Sequence, residues 1–165
     1  LKAQVVVVGG GAVGLIAAKT LVENGLETIL VEEHEEIGVP EHCAGLFNLV
    51  NFKRLGLPIS EKYFENIVRG AVLHSPTGRK IELDAGRSIA IVTSRRGLDL
   101  FLAEEFEKKG GSLMLGNRVV NVTSGDNLVK VETRRGLEIK AEKLVDAEGM
   151  ASILLRKILN KTTER

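Results

Sequence analysis

The chain has 165 residues, of which 44% are hydrophobic and 27% charged, a balance that fits a globular protein and argues against disorder. A net charge of +1, with five Phe, one Tyr and no Trp, provides neither the basic footprint nor the stacking platform of a nucleic-acid binder. The single cysteine cannot close an internal disulfide, which fits a reducing, intracellular compartment, and the length favours one domain.

The apolar opening VVVVGGGAVGLIAA is too short to cross a bilayer and carries four glycines, so it reads as a buried strand and a turn. AQVVVV is the strand. Ala12 to Asn24 follows with Leu15, Ala18, Leu21 and Val22 at helical spacing, Gly25 ends that helix, and TILVE is a second buried strand. LFNLVNFKRLGL predicts a short helix closed by Gly56 and Pro58. IVRGAVLHS, KIELD and SIAIVTS predict strands, with a turn at PTGR. GLDLFLAEEFEKKG predicts a helix whose core face is Leu98, Phe101, Leu102 and Phe106. SLMLG, RVVNVTS, LVKVET and LEIKAEKLVDA are strands, and the alternation of Val129, Val131, Thr133 with Leu137, Ile139, Ala141 predicts an antiparallel hairpin. MASILLRKILNK predicts a closing apolar helix. The fold class is α/β: a Rossmann-type βαβ, an inserted mixed α+β section and a β-meander.

Gly9, Gly11 and Gly14 form GxGxxG between the first strand and helix. Such glycines serve a tight turn, close approach of the backbone to a pyrophosphate, and close helix–strand packing, while the helix N-terminus presents N–H groups to the phosphates. Glu32 ends the second strand near the spacing expected for an acid that accepts ribose hydroxyls. Glu33, Glu35 and Glu36 crowd that corner and are expected to repel a 2′-phosphate, which disfavours NADP and leaves NAD and FAD.

Cys43, in EHCAGL, has three candidate roles: nucleophile, metal ligand, or small residue beside a cofactor. His42 could lower its pKa, but sequence neighbours in a loop seldom face each other, and His34, His42, Cys43 and His74 make no zinc pattern. Arg95 and Arg96 stand at a helix start, where the dipole disfavours cations, so an anionic partner for one of them is expected.

GGGxxG, LVEE, IGVPEHCAGL, TSRRGLDLFLAEEFEKKG and LVDAEGMAS together resemble the geranylgeranyl reductase family of flavoproteins, which has a p-hydroxybenzoate hydroxylase-like fold. The resemblance implies that Gly9, Gly11, Val13, Gly14 and Glu32 hold the ADP half of FAD, with a backbone contact to adenine at Val119. It also implies that Cys43, Ala44 and Gly45 lie along the flavin, where the thiol is a lining residue, and that Arg95 acts on the cofactor. Ser94 stands where the family often has Asp, the cysteine loop lacks an acid between Ala44 and Gly45, and Glu148 replaces the Asp frequent in related hydroxylases.

On this resemblance residues 1–165 are the N-terminal part of an FAD-binding domain, with substrate-domain strands beginning at about 66–93 and the C-terminal substrate portion absent. The implied activity is archaeal-type reduction of isoprenoid double bonds in lipid biosynthesis, with NAD(P)H or a ferredoxin-like protein as electron donor. No proton donor or other catalytic residue stands out. The implied location is the cytoplasm, with peripheral membrane contact and self-association through an exposed face of the closing helix at Ile153, Leu154 and Ile158. The rival readings are an FAD-dependent monooxygenase or other dehydrogenase, and a non-catalytic nucleotide-binding fragment.

Overall fold

The computed structural model of the chain describes residues 1–41, 43–125, 127–151 and 154–156. The elements in chain order are β1 (Lys2–Val8), α1 (Ala12–Glu23), β2 (Thr28–Val31), β3 (Leu46–Asn48), α2 (Leu49–Arg54), β4 (Phe64–Val68), β5 (Gly70–His74) and β6 (Lys80–Asp84). They continue with β7 (Ala90–Thr93), α3 (Arg95–Lys108), β8 (Ser112–Met114), β9 (Val119–Ser124), β10 (Val129–Thr133) and β11 (Glu138–Asp146). Contacts divide the chain into two units, one formed by Leu1–Val39 with Asp99–Arg165 and the other by Pro40–Leu98.

The first unit is built on a six-stranded sheet in the order β8-β2-β1-β11-β10-β9. β1 runs parallel to both β2 and β11, and β2 runs parallel to β8, while β10 is antiparallel to β9 and β11. Val5 to Val8 are all buried, as expected for a strand covered on both faces, hence the unbroken valine run. β10 and β11 alternate instead: Val131, Ile139 and Ala141 face the core, and Lys130, Glu138 and Lys140 line the other side. One apolar cluster joins Val6, Val8, Ile29, Val31, Val131 and Ile139. α1 packs through Leu15 and Ala18. It ends where Gly25 takes φ +78° and the Leu26 N–H reaches back to the Leu21 carbonyl at 3.1 Å, a left-handed stop that glycine accommodates without strain.

The second unit has an antiparallel sheet in the order β3-β7-β4 and a separate hairpin, β5–β6. Phe52, Tyr63 and Ile91 are fully buried there, with the Phe52 and Tyr63 rings 6.2 Å apart. Two predicted elements resolve differently. Residues 67–75, expected as one strand, divide at Arg69, because β4 pairs with β7 whereas β5 pairs with β6. Gly70 makes the transfer possible: a Cβ there would lie 2.0 Å from the Leu83 carbonyl oxygen. The helix expected from Leu46 begins only at Leu49, since Leu46–Asn48 pair with β7 and the Asn48 side chain then caps α2 by accepting the Asn51 N–H at 3.0 Å.

α3 starts at Arg95, two residues before the predicted Gly97, with Ser94 Oγ accepting the Gly97 N–H at 3.1 Å, and Leu98, Leu102 and Phe106 are buried as expected. Phe101 is half-buried. The closing helix lies mostly outside the described residues, Ile153 and Ile158 included. Leu154 is described and corrects its expected exposure: it is 1% exposed and belongs to the core cluster of the first unit.

Ile139→Ala is expected to cost about 2–5 kcal/mol by opening a cavity in that cluster, and Lys140→Ala, one residue along on the solvent face, about 0.5 kcal/mol or less. Urea denaturation of the two variants checks the assigned faces of β11.

Candidate functional site

Three strand ends define the site in the first unit. Val8 is in register with Val31 on one side and Asp146 on the other, so the residues that follow them, Gly9, Glu32 and Ala147, emerge together. Gly9 N–H donates to the Val31 carbonyl and Ala147 N–H to the Val8 carbonyl, both at 2.8 Å. This is the carboxyl edge of a parallel sheet, where open α/β folds bind ligands.

The three motif glycines have separable reasons. Gly9 has φ +106°, and a Cβ on it would stand 2.3 Å from the Ala147 oxygen; a Cβ on Gly14 would stand 1.9 Å from the Gly9 oxygen. Both are required by the protein's own packing. Gly11 is not: its backbone is extended (φ −77°, ψ 175°), and no atom lies within 4 Å of where its Cβ would be. Neither strain nor contact demands glycine there, so the open space itself is the feature. It lies at the N-terminus of α1, whose first turn carries no acid, and a phosphate would meet free N–H groups there. Val13, in that first turn, is strongly exposed.

Glu32 is no solvated acid. It is 8% exposed, its Oε2 accepts the Gly10 N–H at 2.5 Å, and its Oε1 accepts the His34 N–H at 2.9 Å and faces His34 Nδ1 at 2.5 Å. The turn after it is fastened to residues 116–118: Gly116 N–H donates to the His34 carbonyl and Asn117 N–H to the Glu32 carbonyl. The expected acidic crowding requires correction. Glu33 pairs with Arg118 at 3.4 Å and Glu35 with Arg135, so two of the three extra acids are neutralised, and repulsion of a 2′-phosphate falls chiefly to Glu32. Val119 begins β9 with its side chain in the core, which leaves only its backbone for a ligand. Nearby Glu148 has its carboxyl pushed up, first by burial; Asp146 and Glu33 add to the rise, whereas the Leu154 N–H and Arg118 oppose it.

Cys43, Ala44, Gly45 and Arg95 belong to the second unit. Cys43 and Ala44 are exposed, and His42 lies outside the described residues. Gly45 is buried at φ +68°, its carbonyl accepts the Thr93 N–H at 2.9 Å, and a Cβ on it would stand 1.9 Å from the Thr93 oxygen. Glu41 accepts the Arg96 N–H at 3.3 Å, so the loop is tied to the start of α3 from two positions. That bond supplies an anion to the helix N-terminus through the backbone of Arg96. The Arg95 guanidinium lies over the Phe47 ring, 5.8 Å from its centroid.

The sequence reading passed over His34 as a partner of Glu32, and Glu41, Arg118 and Arg135 altogether. Only His34, two residues from Glu32, carried a local signal; Glu35 and Arg135 are separated by a hundred positions. Among the described residues no group of three or more His, Cys, Asp or Glu could hold a metal ion, and no helix is long and apolar enough to cross a membrane.

Substitution separates the two kinds of glycine. Gly14→Ala is expected to cost about 2 kcal/mol or more in chemical denaturation, because backbone must move. Gly11→Ala should leave the denaturation midpoint nearly unchanged and weaken adenine dinucleotide binding about tenfold or more, measured by calorimetry.

The sequence matches the FAD dependent oxidoreductase family over residues 4–157. Digeranylgeranylglycerophospholipid reductases from Methanococcus vannielii and Methanocaldococcus jannaschii are 32% and 30% identical to it over 119 residues. Each alignment covers 72% of this chain but 30% of the relative, so the chain spans under a third of their length. A geranylgeranyl bacteriochlorophyll reductase-like protein from Thermoplasma acidophilum superposes with a TM-score of 0.81 at 25% identity, over 92% of this chain and 40% of that one. The p-nitrophenol 4-monooxygenase of Pseudomonas putida superposes with a TM-score of 0.82 at 21% identity, over 95% and 44%, which speaks for the fold alone. With its glycine loop and buried strand-end acid at the edge of a parallel sheet, and a match spanning nearly its whole length, the chain belongs to the FAD dependent oxidoreductase family.

Proposed function

We propose that this chain is the FAD-binding part of a reductase that saturates double bonds in isoprenoid lipids. The observation that carries the cofactor half of this reading is the glycine turn at the N-terminus of α1, packed against the sheet at Gly9 and Gly14, open at Gly11, and bonded through the Gly10 N–H to the buried carboxylate of Glu32. In this reading the N–H groups of the first turn of α1 receive the pyrophosphate, Glu32 receives ribose hydroxyls, and the Val119 backbone meets adenine. Val13 borders the phosphates, and Gly9 and Gly14 hold the loop close enough to the sheet. Cys43, Ala44, Gly45 and Arg95 serve the flavin side. Bound FAD supplies the hydride-transfer chemistry, and the protein's part is to bind, orient and exclude water.

The substrate half rests on the relatives' names and on a cavity of about 440 Å³ in the second unit. Its lining is mostly apolar, with Leu46, Val68, Leu83, Ile89 and Val92, and includes one carboxylate, Asp84, which pairs with Arg69. The register explains its chemistry. Ala71 opposes Leu83 and Leu73 opposes Ile81, so one face of the β5–β6 hairpin is wholly apolar, while Leu46 and Val92 share a face of the other sheet. A hydrocarbon chain fits such a surface, and an ionised substrate does not. Strands from about residue 66 to 93 would thus begin the substrate-binding side, and a membrane-derived substrate suits a cytoplasmic protein that works at the membrane surface.

Titration of the chain with FAD and NADPH should give the tighter binding to FAD, and Glu32→Ala should weaken FAD by about 1–3 kcal/mol, as loss of a charge-assisted hydrogen bond does. NADPH binding more tightly than FAD would overturn the cofactor reading. For the substrate, Leu83→Glu should abolish binding of geranylgeraniol and leave FAD affinity within about twofold, since it places an unpaired charge in the apolar cavity alone. With FAD, a chemical reductant and an unsaturated prenyl lipid, the chain alone should complete no multiple turnovers, since it spans under a third of the length of its relatives; any product found by mass spectrometry should carry added hydrogen, and oxygen incorporation in air would replace reduction by hydroxylation.

A further inference from the structure

An ionised carboxylate only accepts hydrogen bonds, at about four sites, two on each oxygen. At Glu32 three are taken: Gly10 N–H on Oε2, and the His34 N–H and His34 Nδ1 on Oε1. Nδ1 must therefore carry a hydrogen, in a neutral or a protonated ring. One site remains, on Oε2. The cis-diol of a ribose brings two donors to it.

We propose that His34 determines specificity at the ribose subsite: its imidazole occupies the acceptor site on Glu32 that the second hydroxyl of a cis-diol requires, so a diol must displace the ring and a single hydroxyl need not. This rests on the nucleotide reading above and deepens it. The displacement is local. The His34 side chain is 47% exposed, so the ring can swing into solvent without disturbing the core, and the Gly116 N–H on the His34 carbonyl holds the main chain in place. The other charged groups on this turn are Glu33, paired with Arg118, Glu35, paired with Arg135, and Glu36.

A ligand with one hydroxyl uses the open Oε2 site, and its affinity does not respond to the ring.

The test is calorimetric titration of wild type, His34→Ala and His34→Gln with ADP and with 2′-deoxy-ADP under one set of conditions. In His34→Ala the preference for ADP over 2′-deoxy-ADP should exceed that of wild type by about threefold to tenfold, the scale of one hydrogen bond, with the affinity for 2′-deoxy-ADP nearly unchanged. His34→Gln keeps an N–H donor, so its preference should remain below that of His34→Ala. A preference that is the same in wild type and in His34→Ala overturns the role of His34 and leaves the glycine-loop site standing. Absence of binding by either nucleotide in all three proteins overturns the nucleotide reading and the role of His34 with it.

Discussion

The close approach of main chain to main chain at the ends of β1, β2 and β11 governs the arrangement of the first unit's site. Gly9 has the Ala147 oxygen where a side chain would go, and Gly14 has the Gly9 oxygen. These contacts set the start of α1 against the carboxyl edge of the sheet and direct its unpaired N–H groups outward from that edge. A residue with a Cβ at either position would push the helix away from the strand, and the geometry offered to a phosphate would be lost. Gly11 differs in kind, because it answers to space outside the protein. A position fixed by internal packing and one left open thus stand two or three residues apart in one motif.

The electrostatics of the adjoining turn are arranged around one buried carboxylate. Glu32 is fixed by Gly10 on one oxygen and by His34 on the other, which settles its orientation at the cost of most of its acceptor capacity. The acids that follow are directed elsewhere, Glu33 to Arg118 and Glu35 to Arg135. Both pairs are exposed enough to be screened, so they contribute little to stability. Their effect is to remove negative charge from the mouth of the site while leaving the charge of Glu32 in place.

The second unit solves a different problem. Its aromatic centre of Phe47, Phe52 and Tyr63 supports the three-stranded sheet, and Arg95 extends that stack with a cation over the Phe47 ring. Gly45 and Glu41 tie the cysteine loop to the β7–α3 junction, so the exposed Cys43 is carried on a segment anchored on both sides. Apolar residues that face no core in this unit gather instead around a cavity.

The sequence by itself determined what depends on local periodicity and on backbone freedom. The valine run of β1, the stripe of α1, the alternation of β10 and β11, and the glycine motif ending in Glu32 are visible because each is specified by residues near one another in the chain. Tertiary structure decided whatever depends on a distant partner. Whether Leu46–Asn48 become strand or helix depends on pairing with β7, and whether residues 67–75 form one strand or two depends on which of β7 and β6 each half meets. Whether Glu33 and Glu35 act as a repulsive patch depends on arginines some eighty-five and a hundred positions away, at Arg118 and Arg135. Propensity is a sum over neighbours in sequence. Strand partners and ion pairs are neighbours in space, and only the folded chain brings them within the few ångströms over which hydrogen bonds and paired charges act.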